Sequence, residues 1–190
     1  TVTYAPHFIS TVVLVGMVNI FLSPSYGIVN FARGFLGMQR HAFMTDPSAF
    51  KHIYVWSGVW QNAGWGAIIY LAALSAVAPE LHEAAVIDGA NRLQRVFHIN
   101  VPAIVPTMII LIILNAGGIM NVGFEKVFLM QNDLNLEASD VISTYIYRRG
   151  LLDANFSFST AVGLFNNIIN FALLVIVNAI SRRFGETSLF

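Results

Sequence analysis

Cysteine is absent from this chain of 190 residues, and charged side chains make up only 11% of it. The lack of cysteine excludes disulfides and thiolate metal sites, although it does not identify the compartment. Soluble domains carry about 25% charged residues, whereas 56% of this chain is hydrophobic. The formal net charge of zero gives no indication of nucleic-acid binding. This composition is typical of a membrane protein embedded in a lipid bilayer.

Motifs of catalytic and metal-binding proteins are missing as well. No GxxxxGK[ST] phosphate-binding loop occurs, so we expect the chain to bind neither ATP nor another cofactor by itself. His82-Glu83 begins like HExxH, but Val86 stands where the second histidine would be. The five histidines are scattered over loops and span edges, which indicates solvated side chains rather than metal ligands. We therefore expect no catalytic residue, no metal site and no enzyme activity.

Four apolar stretches come close to the roughly 20 residues that a transmembrane helix needs. The first is short and interrupted by polar side chains, so a half-buried amphipathic helix is the alternative there. None of the four contains Asp, Glu, Lys or Arg. Ion-coupled transporters and membrane enzymes generally use ionisable groups within the bilayer, so both classes are disfavoured. The predicted spans are Tyr4–Leu22, Ile53–Val77, Ile104–Val122 and Phe156–Ile180.

The order of the spans gives a topology but not an orientation. Four spans put the loop 80–106 and the C-terminus on one side of the membrane. Two longer excursions lie on the other side, the first between the first two spans up to Lys51 and the second at Gly123–Asn155. Arginine and lysine occur on both sides, so the positive-inside rule does not decide which side is cytoplasmic. The chain starts at Thr1 without a signal region, and we expect it to be N-terminally truncated. The predicted fold is all-α, a polytopic membrane protein with about four transmembrane helices.

The loop 80–106 has the pattern of two short helices. Pro79 suits the first position of a helix, and Gly89 is a typical C-terminal stop. Asn91 and Gln94 are spaced as an N-cap and its capping-box partner, which predicts a second short helix through Phe97. Two short helices hinged at a glycine would form a compact projection that fits a groove on a partner protein.

The same loop resembles the EAA loop of ABC importer permeases. That pattern runs E-A-A, three residues, G, nine residues, I, two residues and P, and this chain has the same spacing. Val101 stands where the family usually carries leucine. The extended form EAA-x-x-DGA, with Phe97–Ile99 beside it, is similar to the carbohydrate-uptake branch and to oligosaccharide and polysaccharide permeases. The residues that carry the resemblance are Glu83, Ala84, Ala85, Asp88, Gly89, Ala90, Ile99 and Pro102.

The resemblance implies the transmembrane domain of a type I importer. Residues 1–190 would form a single permease domain in a bacterial plasma membrane, with 79–101 as a cytoplasmic coupling loop. The implied partners are a second permease subunit, two copies of a cytoplasmic ABC ATPase that holds the ATP, and an extracytoplasmic solute-binding protein. The implied function is translocation of an oligosaccharide by alternating access. Another solute, such as a peptide or an amino acid, and a membrane scaffold without transport are the alternatives.

Uncharged polar side chains within the spans are candidates for the solute pathway. Amides offer hydrogen bonds to sugar hydroxyls, and an aromatic ring offers a flat face to the C–H groups of a sugar. Hydrogen bonds that hold neighbouring helices together are the alternative explanation, since amides serve that purpose in membranes too. The candidate pathway residues are Asn62, Trp65, Asn166, Asn167 and Asn170.

Overall fold

The computed structural model describes residues 2–183, which contain helices and no β-strand. This confirms the predicted all-α class. Short 3-10 helices occupy Val2–Phe8 and Phe43–Thr45, and π-helical turns occupy Val96–Asn100 and Tyr147–Leu152. The α-helices are α1 (Thr11–Phe21), α2 (Ile28–Phe35), α3 (Pro47–Ser75), α4 (Pro79–Ile87), α5 (Arg92–Arg95), α6 (Val101–Ala116), α7 (Phe124–Met130), α8 (Leu136–Ser139), α9 (Ile142–Ile146) and α10 (Phe156–Arg183).

Length and hydropathy identify the helices that can cross a membrane. Two continuous helices qualify alone, namely Arg92–Ala116 with 25 residues and Phe156–Arg182 with 27. Two further pairs qualify only when each bent pair counts as one span. They are Val2–Phe8 with α1, bent by 108°, and α3 with α4, bent by 70°. The described residues therefore contain two to four spans, and the predicted number of about four lies at the upper end.

The first predicted span, Tyr4–Leu22, is not one straight helix. Ser10 has an extended backbone, and its hydroxyl accepts a hydrogen bond from the N–H of Val13 at 3.4 Å. Ser10 is therefore the N-cap of a new helix, and the chain changes direction at this residue. Ser10 is one of the polar residues that interrupt this apolar stretch in the sequence, and it is also the residue at which the helix breaks.

The boundaries of the second and third spans also differ from the predicted ones, whereas the fourth span begins at Phe156 as predicted. α3 begins at Pro47, six residues before Ile53, because Asp46 precedes it as a cap. The Asp46 carboxylate accepts hydrogen bonds from the Ser48 hydroxyl at 2.7 Å and backbone N–H at 2.8 Å, and these bonds lower the pKa of Asp46. The third span ends at Ala116 rather than at Val122, since the Gly117-Gly118 pair ends the helix in a turn.

The described residues form two compact units. The first comprises the described residues of 2–65 and 121–163, and its apolar core contains Val15, Phe50, Val127 and Met130. The second comprises the described residues of 66–120 and 164–183. In the second unit Gly117 lies so close to α10 that a Cβ atom there would be 2.8 Å from Leu174 Cδ1. The assignment of the whole chain to one domain stays a prediction.

Candidate coupling loop and polar residues of the spans

The end of α4 is fixed by backbone hydrogen bonds around Gly89. The Gly89 N–H donates to the Val86 carbonyl at 3.0 Å, and the Ala90 N–H donates to the Ala85 carbonyl at 2.8 Å. These two bonds form a Schellman motif, which needs a left-handed residue just beyond the helix. Gly89 supplies it with a φ of +74°. The helix that starts at Pro79 therefore stops where the sequence predicted, and glycine is needed for a conformational reason.

A reciprocal capping box begins the next helix. The Asn91 side-chain oxygen accepts from the Gln94 N–H at 2.9 Å, and the Gln94 side-chain oxygen accepts from the Asn91 N–H at 2.7 Å. Both bonds satisfy N–H groups that the first turn of a helix leaves unpaired. The predicted N-cap and its partner are confirmed.

The sequence predicted that the second helix of the loop ends at Phe97, but in the structure it does not end there. It continues through the π-helical turn Val96–Asn100 into α6, so that Arg92–Ala116 is one helix. Pro102 has no N–H to donate along the helix, and the Val101 N–H bonds to the Val96 carbonyl one residue further back than in an α-helix. This wider turn allows the loop and the membrane helix to be continuous across a proline.

Most of the predicted coupling residues border one cleft. A cavity of about 290 Å³ lies between α4 and the start of the following helix, lined by Ala85, Asp88, Gly89, Ala90, Gln94, Arg95, His98 and Ile99. Pro102 lines a neighbouring cavity of about 520 Å³ together with His98 and Ile99. Glu83 and Ala84 line neither cavity and are exposed. The structure thus brings five of the eight predicted residues to one cleft and leaves the Glu83 carboxylate on the outside.

The outer surface of the loop is more apolar than a solvated loop requires. Ile87 is 86% exposed and Leu93 is 68% exposed, and Phe97 also projects outward. Within the described residues, Glu83 has no hydrogen-bond or ion-pair partner for its side chain. The centre of a protein-binding surface is apolar and rich in aromatic side chains, and its rim is polar, so these apolar residues with Glu83 beside them suit a partner protein. Sequence reasoning missed these apolar residues, although their alternation with polar ones in 86–97 is visible.

The first pair of candidate pathway residues lies in the first unit. The Asn62 side-chain oxygen is 3.1 Å from Nδ1 of His7, and the His7 ring stacks on Trp65 with centroids 4.3 Å apart. A Cβ atom on Gly64 would lie 2.1 Å from the Thr3 carbonyl oxygen, so only glycine permits this close approach. Asn62 and Trp65 thus form one exposed polar and aromatic cluster with His7, which the sequence analysis did not include.

The three asparagines of α10 lie in the second unit, in different environments. Asn170 is buried, and its side-chain oxygen accepts from the Met120 N–H at 3.2 Å. Asn166 is half-buried and Asn167 is exposed. The Asn170 oxygen therefore bonds to the turn that follows α6, as expected for an amide that holds helices together. A role for the three residues in the solute pathway stays a prediction.

Lys126 is a buried cation that the sequence analysis left without a role. It is only 9% exposed, and its Nζ donates to the Tyr54 carbonyl at 2.8 Å and lies 4.7 Å from the centre of the Tyr54 ring. Burial lowers the pKa of Lys126. The sequence contains an indication of this burial, because Lys126 shares one face of α7 with the apolar residues Val127 and Met130. Lys126 joins α7 to α3 within the first unit.

Comparison with known proteins places these features in a family. Residues 1–186 match the profile described as the inner membrane component of binding-protein-dependent transport systems. All 190 residues align with two proteins of Bacillus subtilis (strain 168). Identity is 39% with Protein LplB and 38% with the polygalacturonan/rhamnogalacturonan transport system permease protein YteP, covering 60% and 59% of them. The chain thus spans about three-fifths of the length of these relatives.

Solved structures agree with the sequence comparison. The chain is similar over its whole length to a chain of a bacterial alginate ABC transporter, crystallised with an alginate pentasaccharide-bound periplasmic protein. The TM-score is 0.95 and the identity 43%, and the match covers 66% of that chain. A second structure, of a bacterial ABC transporter involved in the import of the acidic polysaccharide alginate, matches with a TM-score of 0.93 and 44% identity, over 96% of this chain and 64% of that one. The chain belongs to the family of inner membrane components of binding-protein-dependent transport systems.

Proposed function

We propose that this chain is the core of a permease subunit of an ATP-driven importer, and that it moves an oligosaccharide across the membrane by alternating access. The observation that carries the proposal is the coupling loop, a capped and exposed projection continuous with the membrane helix Arg92–Ala116. The substrate class rests on the relatives, whose names specify polygalacturonan, rhamnogalacturonan and alginate. These are polysaccharides, which favours a sugar over a peptide or an amino acid.

The structure suggests how ATP hydrolysis elsewhere would drive the helices. The exposed side of the loop, with Glu83, Ile87 and Leu93, would bind a groove on an ATPase subunit. The Schellman turn at Gly89 and the capping box at Asn91 fix the angle between α4 and α5. A displacement of the loop is therefore transmitted as a rigid movement rather than absorbed by bending.

Continuity of the second helix gives this movement a direct route into the membrane. No loop interrupts the chain between Arg92 and Ala116, because the π-helical turn accommodates Pro102. Rigid elements of this kind carry coupling between distant sites more effectively than flexible connections. The ATPase dimer would thus switch the helices between inward-open and outward-open arrangements.

The assembly would contain further subunits. We propose a second permease subunit, two copies of a cytoplasmic ABC ATPase and an extracytoplasmic solute-binding protein. The ATP would be held by the ATPase subunits, and this chain would contribute no cofactor site. The alginate transporter structure, with its oligosaccharide-bound periplasmic protein, supports a binding protein as the solute donor.

The test is ATPase stimulation in the reconstituted full-length assembly. Proteoliposomes would receive the binding protein with oligogalacturonides or alginate oligosaccharides, and in parallel with peptides of similar mass. The proposal expects a several-fold rise in ATP hydrolysis with an oligosaccharide and none with the peptides. Stimulation by peptides alone would indicate another solute. No stimulation by any solute, in an assembly whose ATPase is active in solution, would favour the scaffold alternative.

A further inference from the structure

Helix α2 exposes its apolar face and turns its polar face toward the protein. Ile28 is 64% exposed, Phe31 67% and Phe35 79%. These residues are three and four positions apart, so they line one face of the helix. The Phe31 and Phe35 rings contact each other edge to face, with centroids 4.9 Å apart. The result is a continuous apolar surface that nothing within the described residues covers.

The opposite face of α2 is fixed by polar contacts. Asn30 is 2% exposed, and its amide nitrogen donates to the Ser23 carbonyl at 3.1 Å and the His41 carbonyl at 2.9 Å. The His41 N–H donates back to the Asn30 side-chain oxygen at 2.8 Å. Arg33 donates from Nε and Nη2 to the Gln39 carbonyl at 3.3 and 3.2 Å. A helix on a water-exposed protein surface has the reverse arrangement, with its apolar stripe toward the core.

The position of α2 in the chain indicates what covers its apolar face. The helix begins seven residues after Phe21, the last residue of α1. The end of α1 is also bare and apolar, with Ile20 54% and Phe21 46% exposed. Gly27 keeps the connection tight, because a Cβ atom there would lie 2.5 Å from the Phe21 carbonyl oxygen. Exposed apolar side chains therefore follow one another along the chain from the end of α1, which belongs to a candidate span, onto α2.

We propose that α2 lies in the water–lipid interface, with Ile28, Phe31 and Phe35 inserted among the lipid acyl chains. The exposed Tyr26 and Arg40 next to this face suit the headgroup layer, where aromatic rings and arginine side chains are common. Lipid is the proposed occupant because the exposed apolar side chains of α2 follow those at the end of α1, a helix of a candidate span. An interfacial helix of this kind anchors the first excursion at a constant depth. This inference does not depend on the identity of the transported solute.

Spin labels test the proposal in the assembled complex. Because these 190 residues contain no cysteine, Phe31→Cys and Phe35→Cys each create one labelling site within them, once cysteines elsewhere in the full-length subunit are replaced. Nitroxide-labelled complexes in lipid nanodiscs are exposed to oxygen, which concentrates in the bilayer, and to a nickel chelate, which stays in water. Val13→Cys on α1 is the lipid-facing control, and Asp133→Cys in the second excursion is the water-facing control.

The expected result is a ratio of oxygen to nickel accessibility close to that of Val13→Cys, and at least severalfold above that of Asp133→Cys. Greater accessibility to nickel than to oxygen at both positions would mean that α2 faces water, and the proposal would be wrong. Exclusion of both reagents, with an immobilised spectrum, would mean that a partner protein covers the face. That outcome would overturn the proposal equally.

Discussion

Gly89 offers the sharpest test of the coupling loop, because a side chain at this position would strain the backbone but would have space around it. Its φ of +74° lies in the left-handed region, which side chains other than asparagine and aspartate rarely adopt. Apart from the adjacent residues, no atom of the chain lies within 4 Å of the position that a Cβ would occupy. A Cβ atom therefore has room here, and we expect a substitution to act mainly through the backbone conformation.

The size of the effect follows from the energy of the left-handed conformation. A residue with a Cβ costs about 1–2 kcal/mol more than glycine there, and a β-branched residue lies at the upper end. For Gly89→Val, a conformational cost of about 2 kcal/mol would raise the equilibrium constant for opening the Schellman turn roughly 30-fold. Asparagine adopts this conformation more readily, so we expect Gly89→Asn to change the constant by less than about fivefold. Opening the turn frees the angle between α4 and α5.

The assay compares transport with ATP hydrolysis in proteoliposomes that contain the full assembly. We expect Gly89→Val to lower the number of oligosaccharides imported per ATP hydrolysed, while the ATPase still co-purifies with the permease. Gly89→Asn should retain most of the coupling. Gly66→Ala is the matched control, because Gly66 also has open space around it and lies within helix α3 at a negative φ. Equal coupling in the Gly89→Val, Gly89→Asn and unmodified assemblies would refute the mechanical role of this turn.

Three further predictions concern single side chains. Glu83→Ala removes a free exposed carboxylate, so less ATPase should co-purify with the subunit while its membrane insertion is unchanged; equal co-purification would contradict this. Asn170→Leu leaves the Met120 N–H without its partner, which should destabilise the subunit by about 1 kcal/mol in thermal unfolding. Exposed Asn167→Leu should change stability by less than about 0.5 kcal/mol, and a larger loss there would contradict the assignment. Lys126→Met keeps the buried stem, so its Tm should fall less than that of Lys126→Ala; the reverse order would contradict packing by the stem.

Local capping could be predicted from the sequence because it depends on residues close together in the chain. The helix start at Pro79, the stop at Gly89 and the capping box at Asn91 all follow from side-chain chemistry within a few residues. The left-handed backbone of Gly89 follows from the same reasoning. For the helix boundaries and caps of the loop, therefore, sequence and structure agree up to Val96.

Other features could not be predicted in this way, most of them because they depend on distant contacts. The helix continues past Phe97 because a π-helical turn accommodates Pro102, and no local rule distinguishes that outcome from a helix break. The neighbours of Asn170 and Lys126 come from segments 50 and 72 residues away. The outward apolar face of α2 was likewise visible only once Asn30 was found bonded to the protein.

The most direct test of the proposed function is ATP-dependent uptake by proteoliposomes that contain the full-length permease pair, its ATPase and its binding protein. A radiolabelled oligosaccharide is supplied outside with the binding protein, and ATP is enclosed at the ATPase side. We expect accumulation of the sugar that requires ATP and falls to background without the binding protein. ATP-independent accumulation, or vigorous ATP hydrolysis with no sugar inside, would contradict the proposal that this chain forms the path of an ATP-driven oligosaccharide importer.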